Sequence, residues 1–389
     1  MIFMGSAPLP DFADLSNEAA KTLEQLREIL PDASLDQRLN VMVQVHGAGK
    51  PRRHHIGHTP PEGVEVNEKP GTPDDALPLL RFVGWALETA KHDDDDYSML
   101  VLWGHAYEFA IGPRKTGTGI DALDFAELAV GLEHAQKAWK AKYPHSDGKI
   151  DIVGFDSCDI ATIEMAHQIN RYAHYFLASQ ISIPLPGWPY DRIVKSLTGS
   201  IARGVPMRPH DLGAYIVRKY CQHYWRQNTA VSLTLINLEK AQDVFRAAQA
   251  LATELVLASA DGQEELALIH GLFYRSQTWE EKPFVDVADL CLNLWRYSDS
   301  EEVVHAAAVL GDLLVRPTGE NDNAAEDQPF VVEHGRNLHS TARLHGISLY
   351  APHVAASLNW QDASYSYQKF LFAQDTKWGR FVEALAQPG

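Results

Sequence analysis

The chain has 389 residues, with 34 basic against 51 acidic side chains and a formal net charge of −17. At 45% hydrophobic and 22% charged it has the composition of a globular protein, which excludes a disordered or fibrous chain and allows two domains, or one with a large appendage. The acidic excess argues against nucleic acid and against anionic membrane surfaces as partners, and it fits attraction for basic peptides.

In chain order, short apolar runs alternate with amphipathic segments. Residues 1–6 read as an edge strand; no basic residue precedes Lys21, so no signal peptide is expected. Ser16–Leu30 reads as a helix with Ser16 at its N-cap. Leu39–Val45 is a buried strand, followed by a long polar, proline-rich loop from Gly47 to Pro73. Asp74 and Asp75 open a helix that runs to Lys91, and Asp93–Asp96 form a charged turn. Strands at Ser98–Trp103, Ile150–Phe155 and Ala173–Ala178 are separated by helices at Ala122–Lys142 and Ile160–Arg171. Such alternation predicts βαβ units, hence an α/β fold with a mainly parallel sheet flanked by helices over residues 1–200. The region 201–389 differs. It has helices at Asp211–Trp225, Leu238–Ala258, Pro283–Tyr297 and Glu301–Val315, forming a helical subdomain over about 238–316. Strands at Val231–Ile236 and Gly346–Tyr350 are expected to complete the sheet, and Pro317–Gln328 reads as an acidic loop.

Three cysteines, Cys158, Cys221 and Cys291, cannot all pair and none lies in a CxxC, which predicts free thiols in a reducing, cytoplasmic setting. No stretch approaches the roughly 18 apolar residues of a membrane span. Cys221 and Cys291 sit among apolar neighbours on helical patterns and read as core residues. His54, His55 and His58, near His46, suggest a metal site by type. Arg52, Arg53 and the Pro60-Pro61 pair argue against a rigid cage, so no metal is expected. Asp93–Asp96 lacks the glycine and terminal glutamate of a calcium loop. Gly47–Lys50 lacks the pattern of a phosphate-binding loop, and neither HExxH nor GxSxG occurs.

In open parallel sheets, chemistry gathers at the carboxyl ends of the strands. Ser98–Trp103 runs into Gly104-His105, and Ile150–Phe155 runs into Asp156-Ser157-Cys158. His105 precedes Cys158 by 53 residues, the spacing by which a caspase-type histidine precedes its cysteine. A thiol at the start of the following helix would feel the positive end of its dipole and be pushed towards the thiolate. The bland alternative is a buried cysteine and a loop histidine, and on spacing alone the two stand level.

The words around these residues tip the balance. LVLWGHA (Leu100–Ala106), GFDSCDIATIEMAHQI (Gly154–Ile169) and FLASQISIPLPGWPYDRIV (Phe176–Val194) resemble the clostripain family of cysteine peptidases, in the wider group of caspases, gingipains and legumains. LNVMVQV (Leu39–Val45), HGISLYAP (His345–Pro352) and FLFAQDTKWGRFV (Phe370–Val382) carry the resemblance over most of the chain in the same order. It implies a caspase-like fold, a catalytic dyad of His105 and Cys158, and an oxyanion hole made by the main-chain N–H groups of Ala106 and Cys158. The family has glycine where this chain has Ala106; if a positive φ is needed there, the β-carbon costs about 1 kcal/mol or more.

Asp156 matches the family's carboxylate in the pocket for a basic side chain, the alternative being a helix N-cap. Glu164 matches its helix acid or is structural. The implied activity is endopeptidase cleavage after Arg, with Lys second, on a peptide or protein substrate. No cofactor is implied, although some relatives respond to calcium. Control is expected through self-cleavage, with Arg114 or Lys115 in the glycine-rich Gly112–Gly119 as the cut, or through a regulatory protein partner. Gly112–Gly119 is otherwise a solvated loop, and the competing class is an inactive caspase-like interaction module.

Overall fold

Apolar residues fill both faces of the segments 99–104 and 150–156, so a sheet built from them needs helices on each side. The computed structural model describes residues 1–5, 13–30, 38–68, 76–91, 96–107, 110–115, 120–260, 263–276, 278, 283–315, 329–351 and 367–386. The chain runs β1 (Ile2–Gly5), α1 (Ser16–Ile29), β2 (Met42–His46), β3 (Arg52–His55), β4 (Val64–Glu65), α2 (Leu77–Thr89) and β5 (Met99–Gly104). Next come β6 (Ala106–Tyr107), β7 (Ala110–Lys115), β8 (Ile120–Asp124), α3 (Phe125–Lys142), β9 (Ile150–Asp156), α4 (Ile163–Ile169) and β10 (Ala173–Ala178). The second half is α5 (Tyr190–Ala202), α6 (Pro209–Trp225), β11 (Ser232–Asn237), α7 (Ala241–Ala260), α8 (Gln263–Arg275), β12 (Phe284–Asp286) and α9 (Val287–Tyr297). It ends with α10 (Glu301–Val315), β13 (Val331–Arg336), β14 (Ser348–Tyr350), α11 (Leu371–Asp375) and α12 (Trp378–Ala386).

Among the described residues nine strands form one sheet in the order β13-β11-β10-β9-β5-β1-β2-β3-β4. The central pairs β10–β9, β9–β5, β5–β1 and β1–β2 are parallel; the outer pairs are antiparallel. The period of two sorts the strands' side chains into two cores. Leu100, Leu102, Val153 and Phe155 pack with α2, α3, α4 and α7, while Val101, Trp103 and Ile152 pack with α1, α5 and α6. Each such buried side chain contributes about 1.5–3 kcal/mol. This is the helix-flanked, mainly parallel α/β sheet that the alternation predicts.

Several boundaries move for local reasons. The stretch from Gly47 to Pro73 is not all loop: β3 and β4 extend the sheet edge there, with Arg52 opposite Glu65. The α3 helix starts at Phe125 because Asp124 and Glu127 form a reciprocal capping box, and β8 takes up the residues before it. The helix expected from Pro283 yields its first turn to β12. β14 pairs with β12 and not with the main sheet, whose edge is taken by β13, so Gly346–Tyr350 does not complete that sheet. Helices α7, α8, α9 and α10 share one core with α2, α3 and α4. Asp74, Asp75, Asp93–Asp95 and Pro317–Gln328 lie outside the described residues.

Glu164 ties the C-terminal segment to this core. It is fully buried on α4, and its Oε1 accepts from Tyr350 N–H at 2.9 Å and Tyr367 OH at 2.8 Å. Burial pushes its carboxyl up to about 7, against the pull of those hydrogen bonds. A folded-state value above the unfolded one means stability that is full below about pH 4.5 and is lost as pH rises through 7. Glu164→Gln is neutral throughout, so its unfolding free energy should lack that decline, a difference from wild type of about 3 kcal/mol between pH 4 and pH 8. Denaturant titrations at the two pH values check this; parallel declines in both proteins exclude it.

Candidate active site

β5 and β9 lie side by side with Trp103 opposite Asp156. Gly104 closes β5 opposite Gly5 of β1, and the next residues, His105 and Ser157-Cys158, leave the sheet together at its carboxyl edge. Ser157 Oγ donates to the Gly104 carbonyl at 2.8 Å and ties the two strand ends. Gly104 has φ +151°, and a β-carbon there would meet the Gly5 carbonyl oxygen at 2.8 Å, so the approach of β1 requires glycine.

His105 Nε2 lies 2.7 Å from the Ala13 carbonyl oxygen. An Nε2–H donates there, and in the neutral ring that tautomer leaves Nδ1 as the acceptor. Cys158 is half-buried in a turn whose next residue, Asp159, has φ +58°. Ile183 N–H donates to Cys158 Sγ at 3.2 Å, and Ala161 N–H donates to the Ser179 carbonyl at 2.9 Å. The helix expected to start beside Cys158 begins later. Thr162 caps it by accepting from Met165 N–H, and its first residue is Ile163. A dipole effect confined to the first turn does not reach Cys158, so the expected helix donor is replaced by the Ile183 N–H.

Asp156 caps no helix. It ends β9 and is 3% exposed; its Oδ2 accepts from Trp188 N–H and Tyr190 OH, both at 2.9 Å. Its Oδ1 has no partner among the described residues. Burial pushes the carboxyl up to about 7, opposed by the Trp188 and Tyr190 hydrogen bonds. Gly187, at φ +70°, makes this fit: a β-carbon there would fall 2.4 Å from Asp156 Oδ2. Tyr220 Oη and Trp188 Nε1 are also buried, with no hydrogen-bond partner among the described residues. Tyr220 lies in electrostatic reach of both Asp156 and Cys158, and burial above all raises its pKa well beyond the usual phenol range. Neither Tyr220 on α6 nor Ile183 carries a sequence signal of a site role. Both look like ordinary apolar positions, and only the fold brings them to Cys158.

Ala106 lies in β6 opposite Ile111, and its φ is not positive, so the β-carbon after His105 adds no backbone strain. Arg114 and Lys115 end β7, opposite Asp121 and Ile120 of β8, so the expected loop is strand as far as Lys115; residues 116–119 lie outside the described residues. The histidines near residue 55 are engaged otherwise: Arg27 Nη2 meets His54 Nδ1 at 3.0 Å, and His55 Nε2 meets Asn40 Oδ1 at 3.0 Å. Burial lowers both rings to about 4. Among the described residues no three His, Cys, Asp or Glu side chains cluster as a metal site. Burial pushes the Cys221 thiol up to about 12 and that of Cys291 higher still. A cavity of about 500 Å³ opens at the opposite edge of the sheet, lined by Asp151, His174, Arg208 and Lys240 among others, and none of the predicted site residues lines it.

The comparisons with known proteins cover the segments that carry these residues. The clostripain family model matches residues 80–384, which include both strand ends and the Asp156 segment. A secreted C11 cysteine protease from Bacteroides thetaiotaomicron, solved with an irreversible peptide inhibitor, is 15% identical, with 98% of each chain covered and a TM-score of 0.61. An inactive zymogen C11 protease from Parabacteroides distasonis is 14% identical, with 96% of each chain covered and a TM-score of 0.58. At such identities these structures show a shared fold. No curated protein matches the chain. No helix among the described residues is long and apolar enough to cross a membrane. With the family model spanning most of its length, the chain belongs to the clostripain family of cysteine peptidases.

Proposed function

We propose that this cysteine peptidase is an endopeptidase that cleaves after arginine, with lysine second, using His105 and Cys158 as its dyad. The observation that supports the specificity is the Asp156 carboxyl, a buried acceptor with one oxygen unpaired among the described residues, two residues before Cys158. A guanidinium brings both the missing donors and a countercharge in a planar fork, which a lysine ammonium matches less well. The carboxyl is covered in this structure, so the guest must displace side chains over it.

The reaction proposed for these residues runs as follows. His105 Nδ1 takes the Cys158 proton, and Sγ forms a bond to the substrate carbonyl carbon. The displaced electron pair resides on the carbonyl oxygen, held by the N–H groups of Ala106 and Cys158. The C–N bond breaks as His105 returns the proton to the leaving amine. His105 then deprotonates a water that attacks the thioester, releasing the acid and restoring the thiol. Nucleophile, acid–base and oxyanion donors all come from the chain, so these steps draw on no cofactor. Control by self-cleavage after Arg114 or Lys115, or by a regulatory protein, and work in a reducing compartment that keeps three thiols free, belong to the same proposal.

A panel of fluorogenic peptides differing in the residue before the cut tests the specificity. The order of kcat/KM should be Arg, then Lys, with Asp about 100-fold or more below Arg. Equal turnover of Asp or apolar peptides refutes the pocket.

A further inference from the structure

We infer that Gln180 is a positioning residue of the reaction: it holds the segment whose Ile183 N–H stabilises the Cys158 thiolate. The inference rests on Cys158 being the nucleophile, as proposed above. An N–H aimed at sulfur bonds a thiolate more strongly than a thiol, so it favours ionisation, as a helix N-terminus does in other thiol enzymes. Here the helix starts too late to serve, and the Ile183 N–H at 3.2 Å is a donor on the sulfur. One backbone donor is effective only if the chain that carries it is fixed.

The segment after β10 is fixed from within and from outside. Ser179 Oγ donates to the Ile181 carbonyl at 2.8 Å and accepts from the Ile181 N–H at 3.2 Å. Gln180 is 4% exposed, and its amide reaches into the C-terminal half of the molecule. Nε2 donates to Asp286 Oδ2 at 2.9 Å and to Ser348 Oγ at 3.1 Å, and Oε1 accepts from Gly346 N–H at 2.7 Å. Asp286 is itself held by the N–H groups of Asp289 at 2.9 Å and His345 at 2.6 Å, and by His345 Nδ1 at 3.0 Å. Ser348 N–H also donates to the Ala161 carbonyl at 2.8 Å, on the far side of the Cys158 turn. The β12–β14 pair thus grips the nucleophile's turn at Ala161 and, through Gln180, the strand end that carries Ile183. Every polar atom of a buried amide is engaged, far more than packing at this position requires.

The test reads the Cys158 thiol directly. Iodoacetamide labelling rates are followed across pH by mass spectrometry of the Cys158 peptide, in wild type and in Gln180→Leu. Tyr220, in electrostatic reach of Cys158, its chain neighbours Asp156 and Asp159, and His105 are the same in both proteins. Loss of the anchor should raise the titration midpoint of Cys158 by about one pH unit, so labelling slows about tenfold below the midpoint and converges with wild type well above it. A change of access alone shifts the plateau and not the midpoint. A folded Gln180→Leu protein with the wild-type midpoint overturns the inference. If Gln180→Leu does not fold, His345→Ala, which removes one half-exposed donor to Asp286, should give a smaller rise, and no rise there overturns it equally. Peptide turnover that survives Cys158→Ala removes the dyad instead, a result distinct from either labelling outcome.

Discussion

Cys158→Ala is expected to abolish peptide hydrolysis, lowering kcat by about 100,000-fold or more with the fold retained. The reason is the scarcity of alternatives. Burial keeps the Cys221 thiol at about 12 and that of Cys291 higher still, so neither supplies a thiolate near neutral pH. His105→Ala should lose a comparable factor, and the double variant little more than either single one, because nucleophile and base act as a unit. The same comparison reads activation. Wild-type chain on long incubation should be cut after Arg114 or Lys115 while Cys158→Ala stays intact, as judged by intact mass. Wild type that turns over peptides yet stays uncut excludes self-cleavage and leaves partner control. Turnover by Cys158→Ala excludes the dyad.

Asp156→Asn is expected to cost about 100- to 1,000-fold in kcat/KM on Arg peptides while labelling of Cys158 by a small alkylating agent persists. Asparagine can still accept from Trp188 N–H and Tyr190 OH at one oxygen, but it offers no charge to a guanidinium. The pH dependence follows with its sign. With the empty carboxyl at about 7, protonation competes with a cationic guest, so kcat/KM on Arg peptides falls as pH drops below 7. A bound guanidinium favours the ionised form, so kcat should hold to lower pH than kcat/KM does. Asp156→Asn should lack this acidic limb. An Arg preference that survives the substitution shows instead that Asp156 only holds the segment Gly187–Tyr190 in place.

What was legible in the residues themselves is periodic or local. Five-to-seven-residue apolar runs separated by helical patterns carry the parallel sheet, because a strand buried on both faces has to be apolar throughout. The next residues after two such runs, His105 and Cys158, follow from the rule that parallel strands present their carboxyl ends together. The resemblance of whole segments named the family that the model match shows. Weak or short elements escaped. β3 is Arg-Arg-His-His, with no apolar residue to mark a strand although both histidines are buried, β4 is two exposed residues, and β12 and β14 are three residues each, too short for a period to register. Tertiary structure alone decided three matters at the site. It placed Thr162, not Cys158 or Asp156, at the start of α4. It put Ala106 on a strand where the β-carbon is free of strain. It closed Gln180, Asp286 and His345, up to 165 residues apart in sequence, into one network behind the turn that carries Cys158. Capping and φ values are settled by how a turn is packed, and a buried amide's partners by which distant strands meet it, so no local pattern of residues records either.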